Sequence, residues 1–300
     1  MAYNPCSISN TYDGGQMSES NILEFTQSLM ANGDFQAAEN ALRARLRLPP
    51  VPEGAYLLMT DILVREGKYA EATQFVGEHP ENAEIFIRLR DYFVGERMND
   101  AALGLIAKSR FTDPGIEHIN DSIRKQLSGD LQGAIAACNN ALRFNTGDAS
   151  AYNQLGRVLF NAGHAPQSQS AFEKALAIKP DFAEAWHNLG HVLRAQHKLE
   201  EAEKAYLRSV ELAPCYRSAL LNLGVVKFAR GKHAEALTHF HRLLELDPGN
   251  VEAHINAGVG EHILHNIEQA KIHYRQAIAL DPKSDTAMRH LASLFSDELD

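Results

Sequence analysis

A step of 34 residues constrains this chain more than any other feature it carries. From Ala183 to Tyr216 the sequence reads AEAWHNLGHVLRAQHKLEEAEKAYLRSVELAPCY. Trp186, Leu189 and Leu193 fall on one face of a first helix, with Gly190 beside Leu189 where a neighbouring backbone is expected to come close. After a turn at His197-Lys198, a second helix carries Ala202, Tyr206 and Val210 in a stripe and stops at Pro214. Two helices this short cannot bury their apolar faces alone. They need copies on both sides.

Stepping by 34 finds the copies. Upstream, Tyr152, Leu155, Gly156, Leu159, Phe172, Ala175 and Pro180 take the same slots. Downstream come Leu220, Leu223, Gly224, Ala236, Phe240 and Pro248, then His254, Ala257, Gly258, Ala270, Tyr274, Ala277 and Pro282. A large residue, Leu-Gly, an alanine, an aromatic, a small residue and a closing proline at this spacing resemble the tetratricopeptide repeat family. That resemblance implies an all-α fold: a right-handed α-solenoid of about eight helix-turn-helix units with a C-terminal capping helix. It says little about function, because the repeat serves many unrelated proteins.

The rest of the chain fits the same frame less regularly. Residues 1–18 are polar, with no helical stripe, and read as a flexible tail. Residues 19–114 hold about three degenerate units. In the first, Phe25 and Leu29 face the core, Gly33-Asp34 turns the chain and Pro49-Pro50 end the unit. In the second, Pro80 arrives about four positions early. In the third, Arg90 stands where a small residue should follow Leu89, and FTDPG at 111–115 interrupts the chain. Residues 115–284 hold five units, the last four regular, although the first of the five has Asp121-Ser122 in place of Leu-Gly. The irregular third and fourth units mark a bend or a seam. Asp148, Asn250 and Ser284 sit where a side-chain oxygen caps a following helix, and Pro166 lies in a first turn. Residues 285–300 give a capping helix with Met288, Leu291 and Phe295 inward and Ser293, Ser296 and Asp297 outward.

Composition excludes several roles. A net charge of −9 disfavours a general nucleic-acid binder, which needs clustered Lys and Arg. No stretch is long and apolar enough for a membrane span, and the N-terminus lacks signal-peptide features. Three widely separated cysteines, Cys6, Cys138 and Cys215, argue against a disulfide framework or a zinc site and for the cytoplasm.

The family resemblance implies that the first helices line a concave groove. Its slots hold Asn153, Gln154 and Arg157, then His187, Asn188, His191 and Arg194, then Leu221, Asn222, Val225 and Phe228, then Ile255, Asn256, Val259 and His262. Asn188, Asn222 and Asn256 repeat in one slot, with Gln154 one unit earlier. A primary amide both donates and accepts, so such a ladder can grip the backbone of an extended peptide. The array of O-linked N-acetylglucosamine transferase is similar, and that likeness implies the same use of the asparagines. The plainer alternative is that asparagine fills this slot and meets only water. Peptide binding further requires that the trough be free of the chain's own residues.

His187 and His191 lie one turn apart, a spacing that can chelate a metal. No third ligand is predictable beside them, so no metal or other cofactor is expected. Both are read as polar groove residues with pH-sensitive contacts to a ligand. His254, in the slot of Trp186, reads as a core histidine with a satisfied partner. No phosphate-binding glycine loop or nucleophile elbow appears. The chaperone-binding repeats carry a two-carboxylate clamp of Lys and Arg. Here only Arg157 and Arg194 occupy groove slots, which leaves room for a ligand with one acidic group.

The sequence therefore points to a non-enzymatic scaffold that holds a peptide or partner helix, with self-association through the end units as a further option. The alternative is the substrate-recruiting arm of a glycosyltransferase, sulfotransferase or oxygenase. A reading frame continuing past Asp300 would favour the arm.

Overall fold

In a computed structural model the chain is described over residues 19–296, apart from 32, 48–50, 52–53, 81 and 110–112. The N-terminal tail with Cys6, Pro49-Pro50, part of FTDPG and Asp297 lie outside the described residues, as do the side chains of Phe295 and Ser296. Among the described residues there are 17 helices and no strands.

Two compact units divide between Leu89 and Arg90. The first contains α1 (Glu19–Ala31), α2 (Phe35–Leu46), α3 (Ala55–Arg65), α4 (Tyr69–Glu78) and the start of α5 (Ala83–Gly95). Its core is built from Leu42, Met59, Ile62 and Leu63. Helix α4 has only 10 residues, as the early Pro80 requires.

The second unit holds the end of α5 and then α6 (Asn99–Ala107), α7 (Pro114–Leu127), α8 (Leu131–Phe144), α9 (Ala149–Asn161), α10 (Ala165–Ile178), α11 (Ala183–Ala195) and α12 (Leu199–Leu212). It continues through α13 (Arg217–Ala229), α14 (His233–Leu246), α15 (Val251–Ile263), α16 (Ile267–Leu280) and α17 (Asp285–Ser296). From α7 onward, helices pair as antiparallel hairpins. Each first helix also packs on the next first helix, α7 on α9, α9 on α11, α11 on α13, α13 on α15 and α15 on α17. The second helices make no comparable pairing among the described residues. The first helices therefore form the closer, inner face.

The starts and turns follow from local chemistry. Asp148 accepts from the N–H groups of Ser150 and Ala151, and Asn250 from that of Ala253, so these helices begin on their own caps. Pro166 lies in the first turn of α10, where a missing N–H costs nothing. The hairpin turns hold a left-handed residue in a regular register: Gly129, Gly163, His197, Gly231 and His265.

Two expectations need correction. The close neighbour of Gly190 is an aromatic ring, not a backbone: a Cβ there would meet the Tyr206 ring at 2.8 Å. Gly156 meets Phe172, Gly224 meets Phe240 and Gly258 meets Tyr274 in the same way. Where Ser122 replaces this glycine, the facing residue is Cys138 rather than a ring, and Ser122 Oγ lies 3.0 Å from its Sγ. Small meets large, or medium meets medium.

The end helices are also rotated by about one position from the expected stripe. In α17 the buried residues are Ala287 and Leu294, while Met288 is 41% exposed. In α1, Ile22, Thr26 and Met30 are buried, and Phe25 and Leu29 only half-buried. Among the described residues, α1 packs on α2 and α3 and α17 on α15 and α16, which sets the buried edge of each stripe.

Candidate inner-face site

The groove slots named from the sequence do come together on α9, α11, α13 and α15, but they are engaged with each other. Asn153, Gln154 and His187 are buried rather than lining an open surface. The Asn188 Nδ2 donates to Asn153 Oδ1 at 3.0 Å. The Asn222 Nδ2 donates to His187 Nε2 at 3.1 Å and to the Ser218 carbonyl at 2.9 Å. Each bond to the previous hairpin reaches back 35 residues, to the slot one before the amide's own. The next rung breaks because Leu221, which lies 35 residues before Asn256, cannot accept. Gln154 is tied to Gln126 and Ser122, and its Oε1 accepts from Arg157 at 3.0 Å. The ladder exists, but the Nδ2 donors of Asn188 and Asn222 are engaged between hairpins.

His187 and His191 are neutral. Because His187 Nε2 accepts from Asn222, its proton sits on Nδ1 and points to the Tyr216 hydroxyl at 3.4 Å. Burial, then the proximity of His191, pulls His187 down to about 3. Burial, then Arg194 and Arg97, pulls His191 down to about 4, and its ring meets Phe160 edge-on. Neither changes charge near neutral pH, which overturns the reading of them as pH-sensitive contacts. Arg194 and His262 are half-buried on the same face. His254 has partners on both ring nitrogens, the Pro248 carbonyl and His273, each at 3.1 Å.

The second unit also supplies its own occupant for part of this face. Arg90 is fully buried. It donates to Asp91 Oδ1 at 2.9 Å, Asn120 Oδ1 at 3.1 Å and Ser150 Oγ at 2.9 Å, and Ser150 donates to Asp91 Oδ2 at 2.7 Å. This knot ties the end of α5 to α7 and α9. Further along, the Val94 carbonyl accepts from Arg157 at 3.5 Å. At Gly95 a Cβ would stand 2.5 Å from the Tyr216 hydroxyl, so only glycine fits without movement. Glu96 then meets the start of α13, where it accepts from the Ser218 N–H and hydroxyl, both at 3.3 Å, beside Arg217 at 3.7 Å. Helix α13 has no side-chain cap of its own, so Glu96 fills that role. The trough expected to be clear is covered along its middle by residues 90–97.

Between that segment and α7, α9 and α11 a cavity of about 390 Å³ remains, lined by Arg97, Gln126, Arg157, His187, Asn188 and His191 among others. Its charged lining groups are two guanidiniums beside two neutral imidazoles. Burial pulls Arg157 down to about 10, which still leaves it charged at neutral pH.

Sequence reasoning missed Arg90, Asp91 and Glu96. The only signal was the misfit of Arg90 in a small-residue slot.

The profile of the tetratricopeptide repeat matches residues 23–83, 153–217 and 187–251, more than half of the chain. This chain belongs to the tetratricopeptide repeat family. No curated protein sequence matches it. Among solved structures, this tetratricopeptide repeat chain is similar to YrrB, a repeat protein with an unusual peptide-binding site. Identity is 28% and the TM-score 0.51, over 58% of this chain and 90% of that one. PilF of Pseudomonas aeruginosa shares 21% identity at a TM-score of 0.57, over 62% of this chain and 86% of its own. The Cut9–Hcn1 hetero-tetramer of the APC/C shares 18% at 0.57, over 91% of this chain and 55% of its own. These last two likenesses concern the fold.

Proposed function

We propose that this protein is a non-enzymatic interaction scaffold that takes an extended peptide or partner helix on the inner face of its second unit. The chain's own segment 90–97 fills the middle of that face and closes it to a partner, so the reading rests on the part the segment leaves open, on α13 and α15. One backbone carbonyl of the segment accepts from Arg157, and its carboxylates are met by Ser150, Ser218 and Arg217. Those are the contacts a peptide needs from a repeat array. The likeness to YrrB supports the same role.

The remaining part of the inner face, on α13 and α15, carries half-buried Leu221, Val225, Ile255 and Val259 with Asn256 and His262. Apolar side chains beside one amide and one imidazole suit a partner that brings a few aliphatic residues and an exposed backbone. The test is capture of partners by the full chain and by an Ile255→Glu, Asn256→Ala variant, changed at two half-buried positions on α15. Loss of the captured proteins, with the circular dichroism and melting temperature retained, is the expected result. An unchanged set of captured proteins would remove the inner face as the binding surface.

A further inference from the structure

Three side chains from three helices converge at the C-terminal end of the second unit. His241 of α14, Glu261 of α15 and His273 of α16 each bring one ligand atom within 4.8 Å of the others. The His241 Nε2 lies 3.7 Å from Glu261 Oε1, and the rings of His241 and His273 stack with centroids 5.5 Å apart. Two imidazoles and one carboxylate are the donor set of many zinc sites, whose bond lengths of about 2.0–2.1 Å put ligand atoms roughly 3.3 Å apart. At 3.7 Å the His241–Glu261 pair already stands near that spacing.

The groups behind these three are what separate them from a chance cluster. Glu261 is buried, and its Oε2 accepts from Asn266 Nδ2 at 2.7 Å, which leaves Oε1 for another partner. The His254 Nε2 lies 3.1 Å from the Pro248 carbonyl, a contact that only an N–H can make. A neutral His254 therefore has a bare Nδ1. That nitrogen is 3.1 Å from His273 Nδ1, so His273 must be the donor, and its own Nε2 carries a lone pair. Metal-bound histidines commonly donate their second N–H to a fixed acceptor in this way, and bound carboxylates are held by a neighbour. Both supports are present here before any ion arrives.

We propose that His241, Glu261 and His273 bind a divalent transition-metal ion of the zinc class, clamping α14 to the hairpin of α15 and α16. His241 is 46% exposed, so an ion can enter from solvent on that side, where a water completes its coordination.

Titration of the full chain, freed of any affinity tag, with Zn²⁺ should show one saturable equivalent and a rise in melting temperature. Co²⁺ in its place should give visible d–d absorption. His241→Ala, Glu261→Gln and His273→Ala are each expected to weaken Zn²⁺ binding by at least roughly tenfold, and His254→Ala by about tenfold. His164→Ala, an exposed histidine in an earlier hairpin, should bind as wild type does. His241 is exposed enough that its variant keeps its fold, so it carries the test even if the others unfold. Absence of a saturable site overturns the proposal. So does a site unaltered by His241→Ala, since it would lie among the other histidines of the 14 in the chain.

Discussion

Glu96 accepts from the backbone N–H of Ser218 at 3.3 Å across 122 residues of sequence, so one helix of the array is capped by a residue from another repeat. The N-terminal residues of α13 would otherwise leave their donors to solvent. Losing a cap costs about 0.5–2 kcal/mol, and Glu96→Ala should lower stability by that amount in urea denaturation. Glu96→Asp should fall short of the contact and give a similar loss.

The amide pairs between hairpins give a second expectation. Asn188→Ala and Asn222→Ala each remove a bond to the preceding hairpin, so each should destabilise by roughly 1 kcal/mol. Asn256→Ala, with leucine 35 residues back, should change the melting temperature far less.

Gly190 and Gly104 should respond to alanine with opposite signs. At Gly190 the added methyl meets the Tyr206 ring, and overpacking of this kind costs about 1–3 kcal/mol. At Gly104, inside α6 with nothing within 4 Å of the new Cβ, alanine should stabilise by about 0.5–1 kcal/mol. Thermal melts of both variants check the pair.

His197 has φ +61 in a slot that the turns at Gly129, Gly163 and Gly231 fill with glycine. An L side chain in the left-handed region costs about 1–2 kcal/mol, part of which glycine returns as chain entropy. His197→Gly should therefore stabilise by about 0.5–1 kcal/mol, read from the chemical denaturation midpoint.

Acid sensitivity follows from Glu203. Burial works to raise its pKa, yet hydrogen bonds from Lys232, Arg230 and Lys227 win and hold it at about 2, against an ordinary 4.5. The folded chain thus keeps this carboxylate ionised where the unfolded chain takes up a proton. Its contribution is present above about 4.5 and lost as pH falls toward 2. Denaturation midpoints between pH 6 and pH 3 should fall less steeply in Glu203→Gln.

The hairpins were legible because their signals are local. The 34-residue step, the caps at Asp148 and Asn250 and the closing prolines all act within a few residues of themselves. The position of the amide ladder was legible too, but not its use, since each rung finds its partner 35 residues away. Arg90 looked like decay of a repeat because its partners lie 30 and 60 residues along the chain. His241, Glu261 and His273 sit on three helices at spacings that no short motif contains. What the sequence hid was contact between repeats.

Trp186 and His254 occupy equivalent slots and make the same bond, each to the carbonyl of a proline six residues earlier. Indole has one nitrogen and spends it on that anchor. Imidazole spends one and keeps a second. An exchange of one ring for another at a fixed anchorage thus lends a unit new reactivity while its outline stays as before, so ornament can be added to such a stack one storey at a time.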